Sequence, residues 1–319
     1  MKILVTGGAG YIGSHVVLAL LEAGHSVRVF DDMSTGAHEN LFSEVEFIKG
    51  TMLDIAQMQK AAEGVDAVIH MAAKKAVGES MENPQIYARN NICGDINVLN
   101  AIAQAGVKYF VFSSSSAVYG NAEKMPIDET APLKPESFYG FTKLQTECLL
   151  PWYYKLKGVK FASLRYFNAV GYDGKGRARG KEINPQNLLP VVLEAAAGIR
   201  SEVKIFGSDY PTADGTCVRD YVHVTDLADA HSRALNFLAG GGQNLCVNLG
   251  TEGGHSVLEV VKRAAEITQK EIKYSFAPRR EGDPAVVRAS SALAEKTLGW
   301  KAVNSGLDNI IKTMWEIYK

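Results

Sequence analysis

Seven residues near the N-terminus, Gly7-Gly8-Ala9-Gly10-Tyr11-Ile12-Gly13, restrict what this chain can fold into more than any other stretch. They follow a short apolar, partly β-branched run at residues 2–6, of the kind found in the buried middle of a parallel sheet. They lead into a helical pattern from residue 11 to 23 that stops at Gly24, a suitable C′ glycine. In this strand–turn–helix setting each glycine has a task. Gly7 permits the tight turn, Gly10 lets backbone approach a pyrophosphate, and Gly13 lets the helix pack close to the sheet. An anion would sit over the helix start, where the free N–H groups around Tyr11 and Ile12 and the helix dipole favour it. A glycine-rich turn without a ligand is the alternative; the flanking strand and helix favour a bound dinucleotide.

The rest of the first half repeats the alternation. Residues 26–30 read as a second strand with Asp31 at its carboxyl end. A carboxylate there accepts hydrogen bonds from an adenosine ribose and repels a 2′-phosphate, which favours NAD over NADP; a turn cap is the alternative. Residues 65–70 form another buried strand, followed by small residues around Ala72 that leave room for a cofactor. His70 reads as a satisfied core histidine. Lys75 either reaches the ligand or is solvated. One long helix is expected over residues 84–105, carrying Asn90 and Asn91. The strand at 108–112 delivers Ser113 to Ser116 at its carboxyl end, the edge where open α/β sheets bind ligands. A polar loop with capping hydroxyls is the other reading of those serines. A helix from about Ser137 to Lys157 carries Tyr139 and Lys143, and the strand at 159–165 ends in Tyr166-Phe167-Asn168. Strands alternating with helices through short connections predict a doubly wound parallel sheet.

Tyr139 and Lys143 stand at i and i+4, one helical turn apart on one face. A free phenol has a pKa of about 10 and is a poor base at neutral pH. A neighbouring ammonium should lower it, so that the pair can take a proton from an alcohol near pH 7. Taken alone, the pair is equally an ordinary core tyrosine beside a solvated lysine.

Beyond residue 171 the alternation loosens. Residues 175–181 are basic and glycine-rich and read as a surface loop. Residues 185–190 begin a helix, 204–206 form a short strand, and Arg219 to Val224 read as one strand with Arg219 and Tyr221 on the same face. Asp226 is expected to cap the next helix, and Ser256 another. Arg280 lies in a charged loop, where it suits either a pyrophosphate or a surface ion pair with Glu281 or Asp283.

Composition narrows the partners. The 319 residues are 46% hydrophobic and 22% charged, with a net charge of −1, giving no electrostatic reason for nucleic acid or an anionic membrane. No apolar run reaches the roughly 18 residues of a membrane span. The start of the chain goes straight into a strand without the regions of a signal peptide, so a cytoplasmic location is expected. Cys93, Cys148, Cys217 and Cys246 are scattered without metal-ligand spacing, and no metal is expected.

In this order, the Gly7–Gly13 loop, Asp31, Ser115, Tyr139-x-x-x-Lys143 and Tyr166-Phe167-Asn168 resemble the extended short-chain dehydrogenase/reductase family. Within it the chain is most similar to the UDP-glucose 4-epimerases, nearly end to end. The stretches Thr6–His15, Lys75–Ser80, Leu164–Asn168 and Gly215–Val224 carry the likeness. The resemblance implies a Rossmann-type doubly wound sheet at residues 1–170, rejoined by some later segments. It also implies a smaller mixed α/β domain at 171–319 that binds a UDP-hexose. It implies catalysis by Ser115, Tyr139 and Lys143. NAD would be held by Gly7, Gly10, Tyr11, Ile12, Gly13, Asp31, Thr51, Met52, Ala72, Lys75, Asn90, Tyr166 and Phe167 as well as by Tyr139 and Lys143. Asn168, Asn187, Leu188, Lys204, Phe206, Tyr221 and Asp283 would contact the nucleotide sugar, Arg219 and Arg280 its phosphates, and Val287 the hexose pocket. Thr51-Met52 stands where the family usually places an adenine-contacting Asp, so Met52 would pack on the ring instead. A homodimer is implied by the resemblance alone. Related dehydratases carry an Asp-Glu pair where this chain has Ser116-Ala117, which removes the catalyst for elimination. Uronate decarboxylases and a non-catalytic NAD-binding regulator remain the alternatives.

Overall fold

Strands that are apolar on both faces must be covered on both faces, and this requirement organises the chain. The computed structural model describes residues 1–182, 185–280 and 282–319; Glu281, one candidate partner of Arg280, lies outside them. The first half runs β1 Lys2–Thr6, α1 Tyr11–Glu22, β2 Ser26–Asp31, β3 Glu46–Lys49, α2 Ile55–Ala62, β4 Ala67–His70, α3 Val77–Glu82, α4 Pro84–Tyr87, α5 Gly94–Gln104, β5 Tyr109–Ser115, α6 Phe138–Lys157 and β6 Lys160–Tyr166. The second half adds β7 Asn168–Val170, α7 Leu188–Ala196, β8 Val203–Phe206, β9 Val218–Arg219, β10 Tyr221–His223, α8 Val224–Ala239 and β11 Leu245–Leu249. It ends with β12 His255–Ser256, α9 Val257–Thr268, β13 Tyr274–Ala277, β14 Val286–Val287, α10 Ala292–Leu298 and α11 Leu307–Tyr318.

Seven strands form one parallel sheet in the order β11-β6-β5-β4-β1-β2-β3. Ile3 and Val5 pack into a cluster with α1 and α8, whereas Leu4 between them joins Phe30, Val68, Phe110 and Phe112 on the opposite face. The alternation of burial along β1 is therefore a division between two cores. Strand order reverses between β1 and β4, the switch point beyond whose carboxyl ends doubly wound sheets bind their ligands. A third apolar cluster, with Tyr172, Leu193, Ile205, Val260 and Ile310, is built by α7, α9 and α11 away from the sheet.

Several expectations change in detail. The helix expected over residues 84–105 is continuous over 84–104, with α4 passing through a π-helical turn Ala88–Cys93 into α5. The wider turn carries Asn91 inward, where its amide bonds both backbone groups of Lys74 at 2.9 Å. The expected strand from Arg219 to Val224 is two strands in different sheets: β9 pairs with β12 and β14, and β10 pairs with β7. They part at Asp220, whose carboxylate is tied to the Thr251 hydroxyl at 2.6 Å and to the amides of Thr251 and Ala289. His223, not Asp226, caps α8, accepting from the Thr225 amide. Asp226 faces away from that role and anchors Asn304 and Ser305 ahead of α11. Ser256 does cap α9, in a reciprocal capping box with Glu259. The serines after residue 112 are mostly strand, since β5 runs through Ser115.

His15, His223 and His231 are buried without a carboxylate bonded to the ring, and burial lowers each from 6.5 to about 4. The unfolded chain therefore takes up protons that the folded chain refuses, and stability falls as pH drops from about 6.5 toward 4. A fully buried imidazole of this kind contributes about 3 kcal/mol across that window. Replacing His231 by Leu should make the decline in thermal midpoint between pH 7 and pH 5 shallower than in the wild type, a comparison made by melting both at each pH.

Candidate active site

The glycine loop after β1 is tight for a steric reason. A Cβ on Gly7, whose φ is +71°, would lie 2.6 Å from the Ala72 amide nitrogen, and one on Gly13 would lie 2.1 Å from the Gly7 carbonyl oxygen. Loop, α1 and the residues after β4 are thereby pressed together. Gly10 differs: its added Cβ meets only the Gly7 oxygen, at 3.2 Å, so its outer side is open. The first turn of α1 presents Tyr11, Ile12 and Gly13 ahead of its first backbone bond, Ser14 N–H to Gly10 at 2.9 Å. Asp31 stands at the end of β2 and already braces the loop, accepting from the Ala9 amide at 3.0 Å and from Met33 at 2.9 Å. An open backbone cradle at a helix N-terminus beside a carboxylate fits a dinucleotide without a 2′-phosphate.

Around this cradle the other expected cofactor residues are distributed unevenly. The Tyr11 hydroxyl donates to Gly171 and its ring rests on Tyr172, which leaves its backbone N–H as the group turned to the cradle. Met52 is buried in the sheet core and packs over Gly94, so it serves the fold rather than lying free for an adenine. Thr51 holds the loop through Gln57 and Leu53. The Asn90 amide donates to Ile86 in its own helix. The exposed Lys75 is ion-paired with Glu182.

At the carboxyl ends of β5 and β6 the expected reacting groups come together. Ser137 caps α6 by accepting from the Gly140 amide at 3.0 Å, and Ser80 accepts from the Tyr139 amide at 3.1 Å, which fixes the start of the helix. A Cβ on Gly140 would lie 2.4 Å from the Ala117 oxygen, so only glycine lets α6 approach the short turn Ser116–Val118. That approach brings the Tyr139 phenol within electrostatic reach of Ser115, whose hydroxyl accepts from the Ala117 amide at 3.2 Å. Tyr166 bonds Ser113 one residue pair deeper. Lys143 is buried, donates to the Ser113 carbonyl at 2.8 Å, and its Nζ lies 6.0 Å from the centre of the Tyr139 ring.

The electrostatics correct one expectation. Burial pushes the Tyr139 phenol up to about 12; the Ser115 hydrogen bond pulls it down and the Asp95 carboxylate pushes it up. In the protein without ligand Lys143 does not draw the phenol toward neutrality, because desolvation outweighs it. Burial lowers the Lys143 pKa, while Asp95 and then Glu147 act to raise it.

The expected substrate residues gather on the small sheets. Register sets Asn168 opposite Tyr221 and Val287 opposite Arg219. The Asn168 amide donates to the Asp220 carbonyl at 2.8 Å. Burial raises the Tyr221 phenol pKa while the Arg219 guanidinium opposes it, so the two side chains are within electrostatic reach. Arg219 is ion-paired with Asp283, and Arg280 stacks on Phe206 with its guanidinium carbon 3.9 Å from the ring centre. Val287 packs beside Phe167, Val118 and Ile127. Lys204 faces solvent on β8, Asn187 is exposed ahead of α7, and Leu188 is partly buried against the outlying apolar cluster. Sequence reasoning missed Ser80 and Asp95, which carry no motif and matter only through what they touch.

Residues 3–250 match the NAD dependent epimerase/dehydratase family. The chain belongs to this family. It is 43% identical to the UDP-glucose 4-epimerase of Lacticaseibacillus casei over 99% of this chain and 96% of that one. Among solved structures, the UDP-glucose 4-epimerase from Brucella ovis in complex with NAD is 41% identical, with a TM-score of 0.97 over 99% of this chain and 98% of that one. The UDP-glucose-4-epimerase from Stenotrophomonas maltophila with bound NAD and formylated UDP-arabinopyranose is 40% identical, with a TM-score of 0.96 over 100% and 98%. A family defined by NAD dependence agrees with the open cradle at Gly10 and the carboxylate at Asp31.

The phenol of Tyr139 should remain protonated through mildly alkaline pH in the ligand-free protein. The ultraviolet difference between wild type and Tyr139→Phe should show no phenolate band up to about pH 10, the ordinary value for a free phenol. A band appearing near pH 7 would show that Lys143 dominates after all.

Proposed function

We propose that this chain interconverts UDP-galactose and UDP-glucose at C4 through a 4-keto sugar. The observation that carries this reading is the Ser115–Tyr139–Lys143 cluster at the carboxyl edge of the sheet, next to an open dinucleotide cradle. NAD, when bound, supplies the acceptor and donor for the C4 hydride and a positive charge that draws the phenol pKa down. Gly7, Gly10 and Gly13 hold its pyrophosphate and Asp31 its ribose. Tyr139 takes the C4 hydroxyl proton and later returns it, Ser115 bonds the C4 oxygen, and Lys143 keeps a cation beneath the phenol. Arg219 and Arg280 grip the diphosphate, with Asn168, Asn187, Tyr221, Phe206 and Asp283 around the nucleotide. A firm nucleotide grip with a loosely held hexose allows the keto sugar to present its other face, whereas uniform tight binding would slow turnover. A dehydratase reading lacks an acid–base pair at Ser116-Ala117.

Val287, paired with Arg219 and beside Phe167, is small for a side chain at the hexose pocket, and we infer that UDP-N-acetylhexosamines are substrates too. We also infer a homodimer. Phe141, Trp152 and Leu156 are exposed along one face of α6, a stripe of apolar surface that a second copy would cover. Among the described residues no helix is long and apolar enough to cross a membrane, and all four cysteines are free thiols, which supports a reducing cytoplasm.

Purified protein, given UDP-galactose without added reductant, should yield UDP-glucose of unchanged mass; no conversion with NAD bound would sink the reading. In the same assay Val287→Tyr should lower the ratio of N-acetylated to plain substrate turnover by roughly tenfold, the scale of a steric clash of one to two kcal/mol. Light scattering should report twice the single-chain mass, and a single-chain mass would refute the dimer.

A further inference from the structure

Beneath the reacting pair lies a buried polar chain that the proposed chemistry does not use. Asp95, on the first turn of α5, is 1% exposed. One of its oxygens meets His70 Nε2 at 2.8 Å and the other accepts from the Thr146 hydroxyl at 2.6 Å. His70 in turn meets the Thr6 hydroxyl through Nδ1 at 2.6 Å. One proton on Nε2 satisfies both contacts: the ring donates to Asp95 and accepts from Thr6.

A buried carboxylate is stabilised by a cation nearby, and a buried ammonium needs an anion. Lys143 is 2% exposed, and its hydrogen bond goes to the neutral Ser113 carbonyl. Lys143 and Thr146 lie three residues apart on α6, with Asp95 reaching up from α5. We propose that Asp95, clasped by His70 and Thr146, is a positioning residue that supplies the buried counter-charge holding the Lys143 ammonium under Tyr139. This rests on the reading of Tyr139 and Lys143 as the proton-transfer pair.

The other titratable groups facing the pair are accounted for. Glu147 acts on Lys143 but is committed to a buried ion pair with Arg165 and accepts from Ser114. Tyr166 and Tyr87 face Tyr139 as neutral phenols, Tyr166 bonded to Ser113 and Tyr87 to Glu79. Asp95 is thus the anion near both members of the pair, and it acts on both in the same direction: it favours the ammonium and disfavours the phenolate.

The test is the pH dependence of UDP-galactose turnover. The acid limb follows ionisation of Tyr139 and the alkaline limb follows loss of the Lys143 proton. Asp95→Asn keeps the shape and removes the charge, so both limbs should move to lower pH together, by about one pH unit. Asp95→Glu, which restores a carboxylate, should return them toward the wild type. Should the Asn variant fail to fold, Asp95→Thr makes the same prediction, because a hydroxyl can still pair with His70. A neutral variant that folds, retains NAD and loses turnover uniformly, with both limbs unmoved, would show a merely structural role and overturn the proposal. A wild type without any conversion would instead remove the underlying reading of the reaction.

Discussion

The burial of the Lys143 ammonium is the constraint around which this protein is arranged. A cation with almost no solvent exposure is tolerable only where acceptors and an anion are supplied from several directions. Here the Ser113 carbonyl at the end of β5 supplies the acceptor, and the carboxylate of Asp95 on α5 supplies the charge. The same packing sets Asp95 of α5 against Thr146 of α6, three residues from Lys143. The phenol of Tyr139 and the hydroxyl of Ser115 are then positioned as consequences of that packing.

The cofactor side and the substrate side achieve order by different means. Around the cradle, order is steric: backbone is pressed on backbone at Gly7 and Gly13, and Gly140 brings α6 onto the turn after Ser115. Around Arg219 and Arg280, order comes from charge and stacking on short strands, with Asp283 and Phe206 as partners. Such contacts leave the planar guanidinium donors able to exchange one partner for another at modest cost. Desolvation is the largest influence on the Tyr139 phenol and holds its pKa above the ordinary value.

Much of the fold was legible because it rests on local periodicity. The alternation of apolar runs with helical patterns, and the glycines at 7, 10 and 13, specify strand, turn and helix within a few residues of one another. Where the reading failed, a distant contact had overruled a local pattern. The break at Asp220 follows from Thr251 and Ala289. Asp226 looked like a cap by position but is claimed by Asn304 and Ser305.

The sequence by itself determined the parallel sheet, the glycine turn at the start of α1 and the spacing of Tyr139 and Lys143, because each follows from residues close together in the chain. Only the tertiary structure decided the electrostatic state of that pair. Whether an ammonium lowers a phenol depends on how much water both have lost and on which charges lie within a few ångströms. Asp95 lies far from Tyr139 in sequence and reaches Thr146, three residues beyond Lys143, only when α5 is packed on α6, with His70 joining it from β4.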